Sequence, residues 1–159
     1  MTVPPSPLSP HYHVGIVVPD LAAAQGRLRE QLGVVWGPVL DLAAQDLRDG
    51  GGRDLVLPTK LCYSTDGPLL ELIEEVPGSV WECNDHSNLH HIGFWSEDLP
   101  ADSARLGGSG CPMQLCGRSG GDAPVSFAYH RSDLGVRIEI VDAAMRPTME
   151  SMLFHPATD

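Results

Sequence analysis

The sequence predicts an α+β fold made of two tandem βαβββ modules. Two independent observations carry this. First, the stretch Tyr12-His13-Val14-Gly15-Ile16-Val17-Val18-Pro19-Asp20-Leu21 returns as His90-His91-Ile92-Gly93-Phe94-Trp95-Ser96-Glu97-Asp98-Leu99. At one constant offset of 78 positions, His13 falls on His91, Gly15 on Gly93, Asp20 on Asp98 and Leu21 on Leu99, and further on Arg27-Leu28 falls on Arg105-Leu106. Second, the closing stretches match: Gly67-Pro68-Leu69-Leu70-Glu71-Leu72-Ile73-Glu74 parallels Gly135-Val136-Arg137-Ile138-Glu139-Ile140-Val141-Asp142. Each is a turn glycine followed by an apolar strand that one carboxylate interrupts, and a tyrosine precedes each turn, Tyr63 and Tyr129.

The elements follow in order. His11 to Val18 is apolar and β-branched, a strand that Pro19 ends. Asp20 is an N-cap; Leu21, Ala24, Leu28 and Leu32 fall at helical spacing, and Gly33 stops the helix. Val34 to Leu40 is a short apolar run broken by Gly37-Pro38, and the segment 41–53 reads neither as helix nor as strand. Leu55 to Leu57 and Lys60 to Ser64 are extended, with Pro58 marking an edge or a bend between them. Thr65-Asp66-Gly67-Pro68 is a hairpin turn before the strand from Leu69 to Glu75. The second unit repeats the plan: a strand from His90 to Trp95, a helix capped by Asp98 and ended by Gly107-Gly108, then strands from Met113 to Cys116, Val125 to His130 and Val136 to Val141. The organisation is thus a flexible leader over 1–10, a first module over 11–76, a connector over 77–89, a second module over 90–143 and a tail over 144–159. Met149, Met152 and Leu153 make the tail one or two helical turns that pack on something.

At 159 residues the two units share one core, because a unit of roughly 80 residues buries only a modest one alone. A net charge of −11 argues against nucleic acid and against an anionic membrane surface, both of which attract basic patches. No apolar run reaches the length of a membrane span. The first seven residues have neither a basic region nor an apolar core, so they do not read as a signal peptide. A cytoplasmic location is expected, with Cys62, Cys83, Cys111 and Cys116 as reduced thiols.

The chemistry sits at the repeated positions. By strand alternation Leu69, Glu71 and Ile73 share one face while Leu70 and Leu72 take the other. A carboxylate inside an apolar strand needs a partner, since burying it alone is costly. One such histidine or glutamate is ordinarily a core or solvated residue. Both types at both repeat positions form a four-ligand set, because equivalent positions converge when two units pack about a pseudo-two-fold axis. His13, Glu71, His91 and Glu139 would hold a divalent first-row ion (Ni, Co, Zn, Mn or Fe) with water completing its shell.

A duplicated βαβββ unit that opens on His-(Val/Ile)-Gly and closes on an apolar-Glu-apolar strand resembles the vicinal oxygen chelate superfamily, across residues 11–143. That group includes glyoxalase I, methylmalonyl-CoA epimerase, extradiol dioxygenases and the bleomycin- and fosfomycin-resistance proteins. The resemblance implies paired modules forming an incomplete barrel around the site, with the same four ligands. The ligand set is similar to that of glyoxalases. His90-His91-Ile92-Gly93-Phe94, Phe127-Ala128-Tyr129-His130 and Gly135-Val136-Arg137-Ile138-Glu139 are closer to the epimerases. Two departures stand: epimerases commonly carry Gln where this chain has Glu71, and no clear match exists for their non-ligand carboxylate, with Asp41, Asp46 and Asp49 as the options. The implied activity is a metal-dependent isomerase, epimerase or lyase acting next to a carbonyl of a small, apolar or thioester substrate. Glu139 would be the base, with Glu71 as ligand or partner base. A small-molecule-binding resistance protein and a ring-cleaving dioxygenase are the alternatives on this scaffold. A homodimer is expected, and related scaffolds build the site within one chain or across two.

Among other residues, Trp95, Tyr129 and His130 are candidate substrate contacts; Tyr63 and Tyr129 read better as core aromatics, and Trp95 reads equally as core or pocket lining. His11 shares a strand face with His13 and ranks below it. His90 points away from His91 by alternation, and His86 and His155 read as solvated. Trp36, Trp81, Trp95 and Phe127 would favour an apolar substrate if they converge.

Overall fold

Alternating strands with one apolar face must bury that face, and here eight of them do so by curling into a barrel. A computed structural model describes residues 9–157. The elements are β1 (Ser9–Val18), α1 (Leu21–Leu32), β2 (Leu40–Asp49), β3 (Asp54–Tyr63), β4 (Leu69–Glu74), β5 (Leu89–Ser96), α2 (Leu99–Gly108), β6 (Met113–Gly117), β7 (Val125–Arg131) and β8 (Arg137–Asp142). A 3-10 turn (Ala143–Met145) and α3 (Arg146–Met152) follow. The leader expected over 1–10 lies outside the described residues as far as residue 8, and from Ser9 the chain is already strand. Among the described residues, no helix is long and apolar enough to cross a membrane.

α1 and α2 begin, and α1 ends, where local chemistry says they should. Asp20 and Asp98 accept hydrogen bonds from the backbone N–H groups of Ala23 and Ala101 at 2.8 and 3.1 Å. Gly33 stops α1 in a left-handed conformation (φ 71°), which costs a residue without a Cβ little.

The barrel is closed, in the order β1-β4-β3-β2-β6-β7-β8-β5. This corrects the incomplete barrel that the resemblance implied. Within each module the first strand runs parallel to the last, β1 with β4 and β5 with β8. One seam between modules is the antiparallel pair β1–β5, and the other is β2–β6, where Leu47, Arg48 and Asp49 face Gly117, Cys116 and Leu115. The second seam comes from the segment whose pattern was illegible. Residues 40–49 form one ten-residue strand that extends beyond its own module. Arg48 pairs with Asp122 and Arg118 with Asp54 across this seam, and Arg48 also pairs with Asp54 of its own module. Those acids are too exposed for the ion pairs to decide closure. The ladder and the burial of Leu47, Leu115 and Cys116 decide it.

Pro58 does not end a strand. It lies within β3, and the β2–β3 register shifts between Leu42 opposite Thr59 and Gln45 opposite Leu57, so the missing N–H falls at a bulge.

Three apolar clusters follow from the alternation. Inside the barrel lie Leu47, Leu69, Ile73, Leu115, Phe127 and Val141 with several aromatics. Outside, α1 packs through Leu21 on Leu72, Cys62 and Trp36, and α2 through Leu99 and Leu106 on Ala128 and Ile140. The tail folds back over one barrel mouth. Met149 is buried in the interior cluster, Phe154 packs edge-on against Tyr63 with ring centres 5.0 Å apart, and the Ala157 N–H donates to the Trp36 carbonyl.

Candidate metal centre

β1 and β5 lie side by side with His13 opposite Gly93 and Gly15 opposite His91. This register explains the repeated His-x-Gly. A Cβ built on Gly15 would overlap the His91 ring, and one built on Gly93 would overlap the His13 ring. Each module's glycine therefore makes room for the other module's histidine. Neither glycine has a positive φ, so space rather than backbone conformation selects it.

The glutamates arrive from the parallel partners of those strands. On β1–β4 Glu71 pairs with Gly15, and on β5–β8 Glu139 pairs with Gly93. Leu69 and Ile73 join Glu71 inside the barrel while Leu72 lies under α1, as alternation requires. Tyr63 lies across from Glu71 and Tyr129 across from Glu139, which repeats the two-fold relation in the aromatic wall.

The four side chains meet. One nitrogen or oxygen from each lies within 4.8 Å of all the others. His13 Nε2 is 2.8 Å from Glu139 Oε2 and 3.4 Å from Glu71 Oε2. His91 Nε2 is 3.0 Å from Glu71 Oε2 and 3.2 Å from Glu139 Oε2. The two Nε2 atoms are 2.7 Å apart. All four residues come from one chain and all are buried.

These separations, 2.7–3.4 Å, lie at or just below the ~3.0–3.4 Å expected between ligand atoms ~2.1 Å from one centre. The carboxylates carry a second sign. Glu71 Oε2 and Glu139 Oε2 are close to imidazole nitrogens, yet neither accepts a well-directed hydrogen bond among the described residues. Buried polar atoms are seldom left so. Donor atoms converging on one point account for both the closeness and the lack of direction. Two imidazoles and two carboxylates are the donor set of a divalent first-row ion.

The charges are strongly mutual. Burial pushes the His13 imidazole down, but Glu139 and Glu71 outweigh it and raise it to about 9. His91 is raised by the same balance. Burial pushes Glu71 and Glu139 up, and the two imidazoles more than reverse this, holding both below the ordinary carboxylate range. An ion needs the imidazole lone pair, so below pH 9 it must displace the His13 proton. Ion affinity is therefore expected to fall as pH falls, by up to ~10-fold per unit for each proton displaced. Titration calorimetry in buffers of different ionisation enthalpy at pH 7.5 should show proton release on ion binding; zero release would contradict this charge balance.

A cavity of about 250 Å³ adjoins the cluster. Glu71 and Glu139 line it with Tyr63, Tyr129, Trp81 and Phe127, and Met145, Met149 and Leu153 border it from the tail. Among the described residues that line it there is no lysine or arginine. Its polar groups away from the glutamates include Thr59, whose hydroxyl donates to Gln45 Oε1 at 2.6 Å. Ser126, at the start of β7, lines it with a φ of 66°, an unusual conformation for a residue with a Cβ.

Of the candidate substrate contacts, Tyr129 is at the cavity wall and accepts from Trp81 Nε1 at 3.2 Å. Burial and the neighbouring carboxylates raise both phenols, Tyr63 and Tyr129, well above their ordinary value, so they stay protonated. Trp95 is not at the wall. It stacks on Tyr12 at 3.9 Å and carries the Arg146 guanidinium over its ring. His130 is turned away: it is fully buried towards α2, 2.9 Å from Ser103 Oγ and 2.7 Å from the Cys111 carbonyl. Residues adjacent on a strand face opposite sides, so Tyr129 and His130 never shared one pocket.

His11 is exposed beside Phe94, and β1 is irregular between His11 and His13, which breaks the face they were read to share. Of the four tryptophan and phenylalanine candidates, Trp81 and Phe127 converge on the cavity; Trp36 lies under α1, donating to the Gln25 carbonyl.

Sequence reasoning set His90 aside. It is buried, with Nδ1 2.8 Å from His91 Nδ1 and Nε2 2.8 Å from the Val80 carbonyl. Burial first, then Arg137 and His91, bring it down to about 3, so it is a neutral ring. It is not among the four residues whose donor atoms converge. The signal that could have flagged it is the His-His pair itself.

The sequence pattern of the glyoxalase/bleomycin resistance protein/dioxygenase superfamily matches residues 12–129. No curated protein matches the chain by sequence. Among solved structures, methylmalonyl-CoA epimerase from Mycobacterium tuberculosis is similar at 18% identity, covering 92% of this chain and 96% of its own, with a TM-score of 0.59. A variant of the Streptomyces coelicolor methylmalonyl-CoA epimerase in complex with 2-nitronate-propionyl-CoA is similar at 22% identity, covering 86% and 96%, with a TM-score of 0.58. A variant of 4-hydroxymandelate synthase from Streptomyces coelicolor is similar at 14% identity over 89% of this chain and 50% of its own, with a TM-score of 0.54. At such identities these likenesses carry the fold.

Proposed function

Since the chain belongs to the glyoxalase/bleomycin resistance protein/dioxygenase superfamily, we propose that it is a metal-dependent isomerase of the epimerase type, moving a proton on a carbon next to a carbonyl. The observation that carries this reading is the double placement of Glu71 and Glu139. Each belongs to the buried four-residue cluster and also lines the cavity. His13 and His91 are in the cluster and are not among the lining residues. The carboxylates are therefore the groups that meet a substrate.

His13, Glu71, His91 and Glu139 would hold a divalent ion, whose Lewis acidity would favour the negative charge developing beside the carbonyl. Glu139 takes the proton from carbon. Glu71, related to it by the internal two-fold, returns a proton from the other side. Two bases in equivalent positions suit a reaction that must work on both faces of one carbon. Tyr63 and Tyr129, protonated and opposite the two glutamates, hold the substrate's polar end. Trp81, Phe127, Met149 and Leu153 surround the rest and exclude water.

The lining also bears on the substrate. A cavity of this volume without a cation takes a small acyl or carbonyl body that is apolar apart from its reacting oxygens. A larger carrier, such as a coenzyme A thioester, would have to keep its phosphates outside.

The test is metal analysis of the purified protein, followed by NMR of carbon-bound proton exchange in D₂O with small 2-oxo compounds and with methylmalonyl-CoA. One divalent ion per chain and metal-dependent exchange are expected. An ion without any exchange, together with oxygen consumption on an aromatic diol, would instead assign a ring-cleaving oxygenase. No ion at all would leave a binding protein.

A further inference from the structure

We propose that His90 is a positioning residue that fixes His91 in the tautomer whose Nε2 lone pair faces the other three donor atoms. The inference rests on the metal reading of the cluster and adds a part that the four-residue set does not contain. A carbonyl oxygen can only accept. The 2.8 Å contact between His90 Nε2 and the Val80 carbonyl therefore places a proton on His90 Nε2. A neutral ring with that proton has a bare Nδ1. His90 Nδ1 lies 2.8 Å from His91 Nδ1, so His91 must be the donor in that bond. A neutral His91 with its proton on Nδ1 has a bare Nε2. Nε2 is the atom that lies 2.7–3.2 Å from His13 Nε2 and the two carboxylate oxygens. Two hydrogen bonds in series thus carry the polarity of a connector carbonyl to the ligand atom.

The surroundings hold this relay in place. The Arg137 guanidinium donates to the His90 backbone carbonyl at 3.0 Å and to Gln114 Oε1 at 2.7 Å, which ties the His90 backbone to β6. The Tyr129 ring stands across the His90 ring at 5.1 Å between centres, leaving it little freedom to turn. The Val80 carbonyl is presented by a tight turn in which the Ser79 hydroxyl accepts from the Trp81 N–H and the Val76 N–H donates to the Trp81 carbonyl. The connector between modules thereby acquires a role at the site.

The relay exists on one side of the pseudo-two-fold only. The position equivalent to His90 in the first module is Tyr12, which stacks on Trp95. Among the described residues, His13 Nδ1 has no hydrogen-bond partner. His91 is thus the ligand whose outer ring nitrogen is held by a neighbouring side chain, and His13 is the one whose outer nitrogen is not.

The experiment uses the full chain loaded with Zn²⁺. In the wild type, ¹⁵N-detected NMR should show the proton of His91 on Nδ1, coupled to His90 Nδ1, and the proton of His90 on Nε2. Replacing the ring by His90→Phe removes the acceptor, and Zn²⁺ affinity by competition titration should fall ~10- to 100-fold. His90→Asn returns an acceptor oxygen near the Nδ1 position and should recover most of that loss. Circular dichroism checks that both variants fold; should the Phe variant not fold, the wild-type spectrum alone decides. Ligation of Zn²⁺ through His91 Nδ1, or wild-type affinity in a folded His90→Phe protein, would overturn the inference and leave the metal reading standing. Failure of the wild type to bind Zn²⁺ or any other divalent ion would overturn both.

Discussion

Gly93→Ala is expected to abolish ion binding in a protein that still forms its barrel. The glycine sits opposite His13 on the antiparallel β1–β5 ladder, and a Cβ there would occupy the space of the His13 ring. That ring is fully buried and edge-on to Tyr12, Tyr63 and His91, with centres 4.2–5.7 Å away, so it has nowhere to retreat without leaving the cluster. Overpacking of this kind costs about 1–3 kcal/mol of stability. The functional loss should be larger, since a ligand displaced by an ångström no longer shares a centre with the other three. Calorimetry with Zn²⁺ or Co²⁺ should show affinity lowered by more than ~100-fold. The double variant Gly93→Ala with His13→Ala separates the two effects: it should regain melting temperature and not ion binding. Wild-type affinity in the single variant would refute the reciprocal packing of glycine and histidine. Gly15→Ala tests the same contact from the other module, through His91.

The second large effect is expected from Glu139→Gln. The amide keeps an oxygen of similar size where the carboxylate was, so the site should still take up its ion, more weakly. What it loses is the capacity to accept a proton. General-base catalysis contributes about 10²–10⁴-fold, and carbon-proton exchange should fall by that factor in the ion-saturated variant. Glu71→Gln should cost less, because its role is shared between ligand and partner base. The two rates, measured by NMR on the same substrate with ion content verified, assign the roles. Equal losses would mean two equivalent bases, and a loss confined to Glu71→Gln would reverse the assignment.

Much of this site was legible because its signals are local or repeated. The 78-residue offset paired His13 with His91 before any geometry was known. Alternation along Leu69-Leu70-Glu71-Leu72-Ile73 grouped the glutamate with Leu69 and Ile73 on one face, and the barrel turns that face inward. Helix ends at Asp20, Gly33 and Asp98 follow from side-chain chemistry within a few residues of each cap. The readings that changed all depended on a distant partner. Residues 40–49 have little apolar alternation of their own, and become strand because β3 on one side and β6 on the other supply ladders. Closure of the barrel rests on that strand. His130 was a candidate substrate contact because it sits beside a turn, although its side of β7 belongs to α2.

The sequence by itself determined the duplication, the strand and helix periods and the identity of the four inward-facing polar residues. These depend on spacing along the chain, which is visible one module at a time. Only the tertiary structure decided that the barrel closes, that each His-x-Gly glycine clears a ring of the opposite module, and that His90 reaches both His91 and a connector carbonyl. Each of these is a contact between segments whose approach no local pattern encodes, because burial and hydrogen bonding are settled only when the partner strand arrives.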